Sequence, residues 1–357
     1  MFRLGGIKLF YSIALVTVLA SCEQRRMDGE VLTTGPVGDI TVVCDNNLWT
    51  EEMIEMLDST ISPLITPYFP EVSTFKLLHK TPQHFETGNK QLRNLLFIEI
   101  DENFKEDKAL IKVSLEKFAT NQTLIKVKAG SLAQLKDAIA SRFKSEVFPY
   151  FDNDEWKRLQ NSNSKINNKD INKELSKNFG IELDVPQGSK LVTSRANFYR
   201  IEFPVEAKGM DTQGERGINI IAQSGVLIYQ YPILGDSSMT MKSLLMARDT
   251  MIRYNVPHEI DGMYMATQYA RIVAPEMYDF INYTGKIEGK EIRGMFKFID
   301  ERKEPYTGGA FWEFHFLHPS RKTVVCVSGY LDAPSNTSWI FQLRRLQAVI
   351  KSVRTTK

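Results

Sequence analysis

The residues best placed to do chemistry in this 357-residue chain are Glu313 and His315. They stand two apart in the aromatic run Phe311-Trp-Glu-Phe-His-Phe316, so on a strand they share one face, because alternate side chains point to the same side. A second strand-like run, Thr323-Val-Val-Cys-Val-Ser328, brings Cys326 and Ser328 alongside. A carboxylate that orients an imidazole next to a hydroxyl or thiol is the arrangement nucleophilic catalysis needs. Glu313, His315 and Ser328 are therefore the catalytic candidates, and their chemistry would be hydrolysis. A plainer reading competes and is preferred: Trp312, Phe314 and Phe316 define the core face, which leaves Glu313 and His315 toward solvent or a cleft. On that reading the protein is not an enzyme.

Other chemical signatures are missing. The chain has no Gly-rich phosphate loop, dinucleotide fingerprint, GxSxG elbow, HExxH or CxxC. Its five histidines form no pair at helical spacing, and His258-Glu259 is followed by Gly262 where a zincin would place its second ligand. Neither a metal nor a cofactor is expected. Amphipathic rings of the kind that line glycan or peptide grooves gather in the second half, with Tyr229, Tyr231, Tyr264, Trp312 and Tyr330 as the ligand-binding candidates. Packing in a sheet is the competing account of them.

The first residues speak of address. Leu9 to Leu19 is apolar, follows Arg3 and Lys8, and runs into Leu19-Ala-Ser-Cys22. A membrane-spanning helix needs roughly 20 apolar residues, so this stretch reads as the core of a removable signal peptide. Residues 1–21 are the signal and Cys22 is the expected lipidation site. Acyl chains on Cys22 would hold residues 22–37 to a membrane as a tether. With 45 basic and 43 acidic residues overall, and Arg3 and Lys8 in the signal, the remainder carries no net charge. Nothing in that balance favours nucleic acid. Cys44 and Cys326 remain in an oxidising compartment, and a disulfide between them is possible if their Cα atoms come within about 7 Å. Their strand-like surroundings favour buried thiols instead.

Periodicity then supplies the elements. Residues 38–151 read as an α/β layer domain. A strand at 38–45 leads to a helix capped by Asn47, strands follow near 75–79, 94–101, 108–115 and 123–129, and a helix is capped by Ser131 with Gln134. Residues 152–178 are Asn- and Lys-rich and read as a polar connector. Residues 179–357 read as a strand-rich α+β domain with a helix at 241–254. Its closing helix places Trp339, Leu343, Leu346, Ile350 and Val353 on the sheet. The fold class expected is α+β: two mixed layer domains with mainly antiparallel sheets and the C-terminal helix packed on the second. The acidic runs Glu51, Glu52, Glu55 and Asp152, Asp154, Glu155 read as solvated helix faces. Arg344, Arg345, Lys351, Arg354 and Lys357 read as cations meeting the last helix dipole, or as a lipid-headgroup patch.

Nearly the whole chain after the signal resembles a family of lipoproteins from Bacteroidota described only as a domain of unknown function. The resemblance rests on Asp45-Asn-Asn-Leu-Trp49, Phe179-Gly180 through Pro186-Gln-Gly188, Ala247-Arg-Asp249 with Tyr264-Met265, Arg293-Gly294, Gly308-Gly309-Ala-Phe311 and Gly329-Tyr330 leading to Ala333-Pro334. It implies a Gram-negative envelope lipoprotein and brings no catalytic residue, ligand or cofactor. Surface-exported members of that lineage carry an acidic run after the Cys, whereas Glu23-Gln24 is followed here by Arg25-Arg26, which favours the periplasmic side of the outer membrane. The expected role is a membrane-tethered binding or assembly module with an envelope protein partner. A glycan- or peptide-binding lipoprotein and an envelope hydrolase are the alternatives.

Overall fold

The computed structural model describes residues 31–204, 223–233, 235–282, 284–303, 305–333 and 339–356. Cys22, the signal, Pro334 and Lys357 lie outside them. The first half opens with β1 (Asp39–Val43) and α1 (Glu51–Ile61), then continues through β2 (Lys76–Lys80), β3 (Asn94–Ile100), β4 (Leu110–Leu115) and β5 (Thr123–Ala129) to α2 (Leu132–Glu146). Asn47 does not cap α1. Residues Asn46–Leu48 form a separate 3-10 turn, and the Thr50 hydroxyl accepts the Met53 N–H at 3.3 Å instead. The Ser131 cap is as read, with Gln134 Oε1 reaching back to Gly130 N at 2.6 Å. The strands lie in the order β2-β1-β3-β5-β4. Strand β1 runs parallel to β2 and β3, β3 parallel to β5, and only β4 is antiparallel, because α1 carries the chain back to start β2 in the direction of β1. Leu57 and Ile61 of α1 with Leu135, Ile139 and Phe143 of α2 cover Ile40, Val42, Leu96, Ile98 and Ile125.

Residues 152–178 are not a loose connector. They lie in two helices, α3 (Phe148–Lys165) and α4 (Lys169–Phe179). The composition misleads because a two-sided helix needs few apolar residues: Trp156 and Leu159 bury one face of α3, and Ile171, Leu175 and Phe179 at four-residue spacing bury one face of α4. Asn168 accepts from Ile171 N at 3.2 Å to start α4, and Gly180, at φ +66, ends it. Glu155 is likewise not solvated. It is fully buried with Arg158 and Asn94, at 3.0 and 2.9 Å, at the start of β3 in the middle of the first sheet.

The second half is one eight-stranded antiparallel sheet. After the short β6 (Ile181–Glu182) come β7 (Lys190–Arg195), β8 (Phe198–Glu202) and β9 (Gln223–Pro232), then α5 (Met241–Asn255) and β10 (Tyr264–Thr267). Strands β11 (Glu276–Ile281), β12 (Glu288–Ile299), β13 (Pro305–Leu317) and β14 (Thr323–Asp332) lead to α6 (Trp339–Lys351) and β15 (Arg354–Thr355), which pairs with β6. The main order is β10-β12-β13-β14-β9-β8-β7, with β11 on β12. The fold is α+β, its pairings are mainly antiparallel, and the parallel ones are confined to the first half. Helix α6 lies on one face, where Leu343, Leu346 and Ile350 meet Trp312, Phe314 and Val327. Helix α5 lies on the other, where Leu244 and Ile252 meet Phe311, Leu227 and Phe296. The middle strands are therefore covered on both sides. Among the described residues no helix is long and apolar enough to cross a membrane.

The halves touch through named bonds. Tyr68 donates its hydroxyl to Phe311 O at 2.9 Å, and Arg344 donates to Thr74 O at 2.9 Å and Asp152 Oδ1 at 3.0 Å. Arg344 thus spends its charge inside the protein and not on the helix dipole or a headgroup patch, while the part-exposed Arg354 pairs with Asp184 at 2.9 Å.

Candidate functional site

Glu313, His315, Cys326 and Ser328 do come together, as the paired register of β13 and β14 requires: Glu313 stands opposite Ser328 and His315 opposite Cys326. They face neither solvent nor a cleft. All four are fully buried, because the side of the sheet away from Trp312 and Phe314 is covered by α5. What α5 brings is Arg248, also fully buried, which donates from Nη1 to Glu313 Oε2 and, at 2.9 Å, to Ser328 Oγ, and from Nε to Thr267 Oγ1 at 3.1 Å. The guanidinium also stacks over Phe311, 3.5 Å from its ring centre. Burial would raise the Glu313 carboxyl, but Arg248 and His315 beside it outweigh burial and hold it at about 2. An ionised Glu313 accepts from His315 Nε2 at 2.8 Å, which leaves Nδ1 to face the Tyr231 hydroxyl at 3.5 Å.

This geometry is poor for a hydrolase. The Ser328 oxygen accepts from a cation, and among the described residues His315 meets Glu313, Tyr231 and, at 3.7 Å from Nε2, the Cys326 sulfur, but not Ser328. Burial pushes the Cys326 thiol well above its ordinary range, so a thiolate is disfavoured too. Glu313, His315 and Cys326 place one ligand atom each within 4.8 Å of one another, a spacing a metal ion could bridge. The set does not fit one well, since Arg248 already occupies the carboxylate and puts a guanidinium charge where a cation would sit. The sequence reading missed Arg248, although a signal was present: Leu244, Arg248 and Ile252 recur every four residues, which sets the arginine on the buried stripe of α5.

The aromatic candidates do not form one groove. Trp312 belongs to the α6 face, Tyr229 and Tyr330 are buried on the α5 face, and Tyr264 lies on β10 under Arg253 at 5.0 Å. Alternation along the strands sends them to opposite sides. Two of them border the buried cluster: Tyr229, its ring 6.1 Å from that of His315, and Tyr231, half-buried over Tyr229 at 6.3 Å. The disulfide is absent as well: Cys44 is a free thiol in the first core and Cys326 a free thiol in the second.

An open site exists where sequence reasoning did not look, at the junction of the two halves. A hollow of about 490 Å³ has Tyr278, Phe280, Arg293 and Trp312 as its sheet side, Leu343, Arg344 and Lys351 of α6 as one wall, and Leu64, Ile65, Phe148 and Asp152 of the first half as the other. A second hollow of about 490 Å³, shared at Leu64 and Ile65, runs on past Phe69 and Ile272. The rim is apolar and uncovered: Leu64 is 49%, Phe69 61%, Ile272 75% and Ile281 48% exposed. Inside the first hollow, Arg293 is held by Glu291 at 2.6 Å and stacks on Trp312 and Tyr278, at 4.2 and 4.6 Å. Lys351 is different. Its ammonium lies 3.3 Å over the Trp156 ring, and among the described residues no carboxylate comes within ion-pair distance of it. Burial lowers its pKa to about 8 against the pull of Asp152 and Glu291.

Two family descriptions cover most of the chain. The family described as Domain of unknown function (DUF4837) matches residues 168–352, more than half of the sequence. The chain belongs to this family. Ahead of the DUF4837 region, residues 33–164 match Domain of unknown function (DUF8532), so the two matches meet in the turn between α3 and α4. No curated protein matches the chain. Among solved structures, the Saccharomyces cerevisiae Ran-binding protein Mog1p is similar at 10% identity over 50% of this chain and 91% of that one, with a TM-score of 0.31. A likeness that slight says nothing of ligand or partner.

Proposed function

We propose that this DUF4837 protein is a Bacteroidota envelope lipoprotein, held by acyl chains on Cys22 to the outer membrane on its periplasmic side, and that it works as a non-enzymatic binding module for an envelope protein. The anchor rests on the sequence: a short apolar run after Arg3 and Lys8 and the Leu19-Ala-Ser-Cys22 tetrad. The binding role is carried by one observation, the uncovered apolar rim formed by Leu64, Phe69, Ile272 and Ile281 where the two halves meet. Exposed apolar side chains gathered around a hollow mark interaction surfaces. Tethering strengthens such a role by raising the effective concentration of co-resident partners. Binding is favoured over hydrolysis because Glu313, His315 and Ser328 are enclosed, with Glu313 and Ser328 committed to Arg248 and His315 to Glu313. In-cell crosslinking tests the reading: a reproducible envelope partner is captured by the natural protein and lost from the Phe69→Glu, Ile272→Glu double variant. Equal capture by both would refute the junction as the binding surface. For the anchor, Cys22→Ser should move the protein out of the membrane fraction, and continued membrane retention would mean another anchor.

A further inference from the structure

We infer that the hollow between α6, β11–β13 and the first half binds a small ligand that carries one carboxylate on an apolar body, with the Lys351 ammonium as its charge partner. This deepens the reading of the junction as a binding surface and rests on it.

The inference follows from how the charges in the hollow are matched. Arg344 is spoken for by Asp152 and Thr74 O, and Arg293 by Glu291. Asp279, on the outer part of the wall, pairs with Lys290 at 2.5 Å. Lys351 is left with the faces of Trp156 and Phe280, at 3.3 and 5.4 Å from the ring centres; Asp152 and Glu291 act on it from farther off, and among the described residues no carboxylate stands within ion-pair distance. A π-face stabilises an ammonium but accepts none of its hydrogen bonds in full, so three N–H donors gain a better partner from an incoming carboxylate. One uncompensated positive charge suits one negative charge, and a phosphate dianion would leave charge over. Beside the polar Thr74 and Gln347, the lining offers Leu64, Ile65, Phe280, Ile281 and Leu343 to the aliphatic or aromatic body of such a ligand.

The charged groups facing Lys351 are Asp152 of α3, Glu291 and Arg293 of β12 and Arg344 of its own helix. Burial holds the lysine at about 8, so carboxylate affinity should weaken as pH rises through that value.

The test uses the full lipidated chain in detergent, titrated calorimetrically with N-acetyl-leucine, N-acetyl-leucinamide and glucuronate. N-acetyl-leucine should bind at pH 7, with the amide and glucuronate each about tenfold or more weaker, as expected for loss of one charge-assisted hydrogen bond or of the apolar contact. Raising the pH above 8 should cost about tenfold in affinity per unit, the cost of reprotonating the lysine. Lys351→Met should lose binding by about tenfold or more, while Lys351→Arg, which cannot deprotonate, should keep it and flatten the pH profile. Lys112→Met, on the exposed edge strand β4, should change nothing. Equal binding of acid and amide, or an undiminished Lys351→Met protein, would overturn the inference. If N-acetyl-leucine fails while the crosslink still depends on Phe69 and Ile272, the carboxylate site falls and the partner surface stands. If both fail, the reading of the junction falls with it.

Discussion

Glu313 stays ionised in a fully buried position because Arg248 and His315 stand against it. Removing one member of a buried pair leaves the other uncompensated, so Glu313→Gln should destabilise the fold by about 3–5 kcal/mol in urea unfolding. The double variant Arg248→Met, Glu313→Leu should recover most of that loss. The sign of the pH effect follows from the depressed carboxyl. Folded, it titrates at about 2, below the unfolded value of about 4.3, so its stabilisation is complete above that value and disappears as pH falls toward 2. The natural protein should therefore lose stability more steeply between pH 5 and about 2 than the double variant does. The shared face of Glu313 and His315 was legible in the sequence because strand geometry has a period of two. Their enclosure was not, because it depends on Arg248, whose position on the buried stripe of α5 matters only once α5 is laid on that side of the sheet.

At the scale of elements, local chemistry fixed one helix start, at Ser131, misplaced another, at Asn47, and left two helices unread. Ser131 caps α2 as its spacing to Gln134 predicts, and Ser131→Ala should cost about 1 kcal/mol, measurable as a lowered denaturant midpoint. Gly180 closes α4 in the left-handed region with His318 Nε2 only 2.7 Å from where a Cβ would stand. Gly180→Ala should therefore cost more than the roughly 1 kcal/mol of backbone strain alone, because His318 must also move. Helices α3 and α4 escaped notice because Asn, Lys and Ser dominate their solvent faces, while Trp156, Leu159, Leu175 and Phe179 suffice for the buried ones. Strands β7 and β10 lie at the two ends of the sheet and offer too little apolar pattern to read: β7 ends in Thr193-Ser-Arg195 and β10 has only four residues.

At the scale of the molecule, the halves are joined by Tyr68, Thr66 and Arg344, the last reaching from α6 to the carbonyl of Thr74 and to Asp152. Arg344 is nearly fully buried, so Arg344→Met removes three hydrogen bonds and leaves Asp152 without its partner. Calorimetry should show the thermal transition broaden or split into two, the outcome expected when a junction between domains is loosened while each core is intact. A single sharp transition at the natural temperature would mean that the apolar contacts alone couple the halves. The hollow beside Arg344 exists only because these bonds set the two halves against each other.

The sequence by itself determined the α+β class, most strands, the helix bearing Leu343 and Leu346 on the second sheet, and the pairing of Glu313 with His315 and of their strand with Cys326 and Ser328. These follow from periodicity, capping and strand adjacency, which act over a few residues or between neighbouring strands. Only the tertiary structure decided what those residues face. Covering the second sheet on both sides turned a catalytic-looking set into an enclosed ion pair, divided Trp312 from Tyr229 and Tyr330, and held Cys44 and Cys326 in different cores. It also drew Arg344 and Lys351 from an expected solvent face into the junction. Burial and ion pairing are settled by residues far apart in the chain, and local pattern carries no record of those distances.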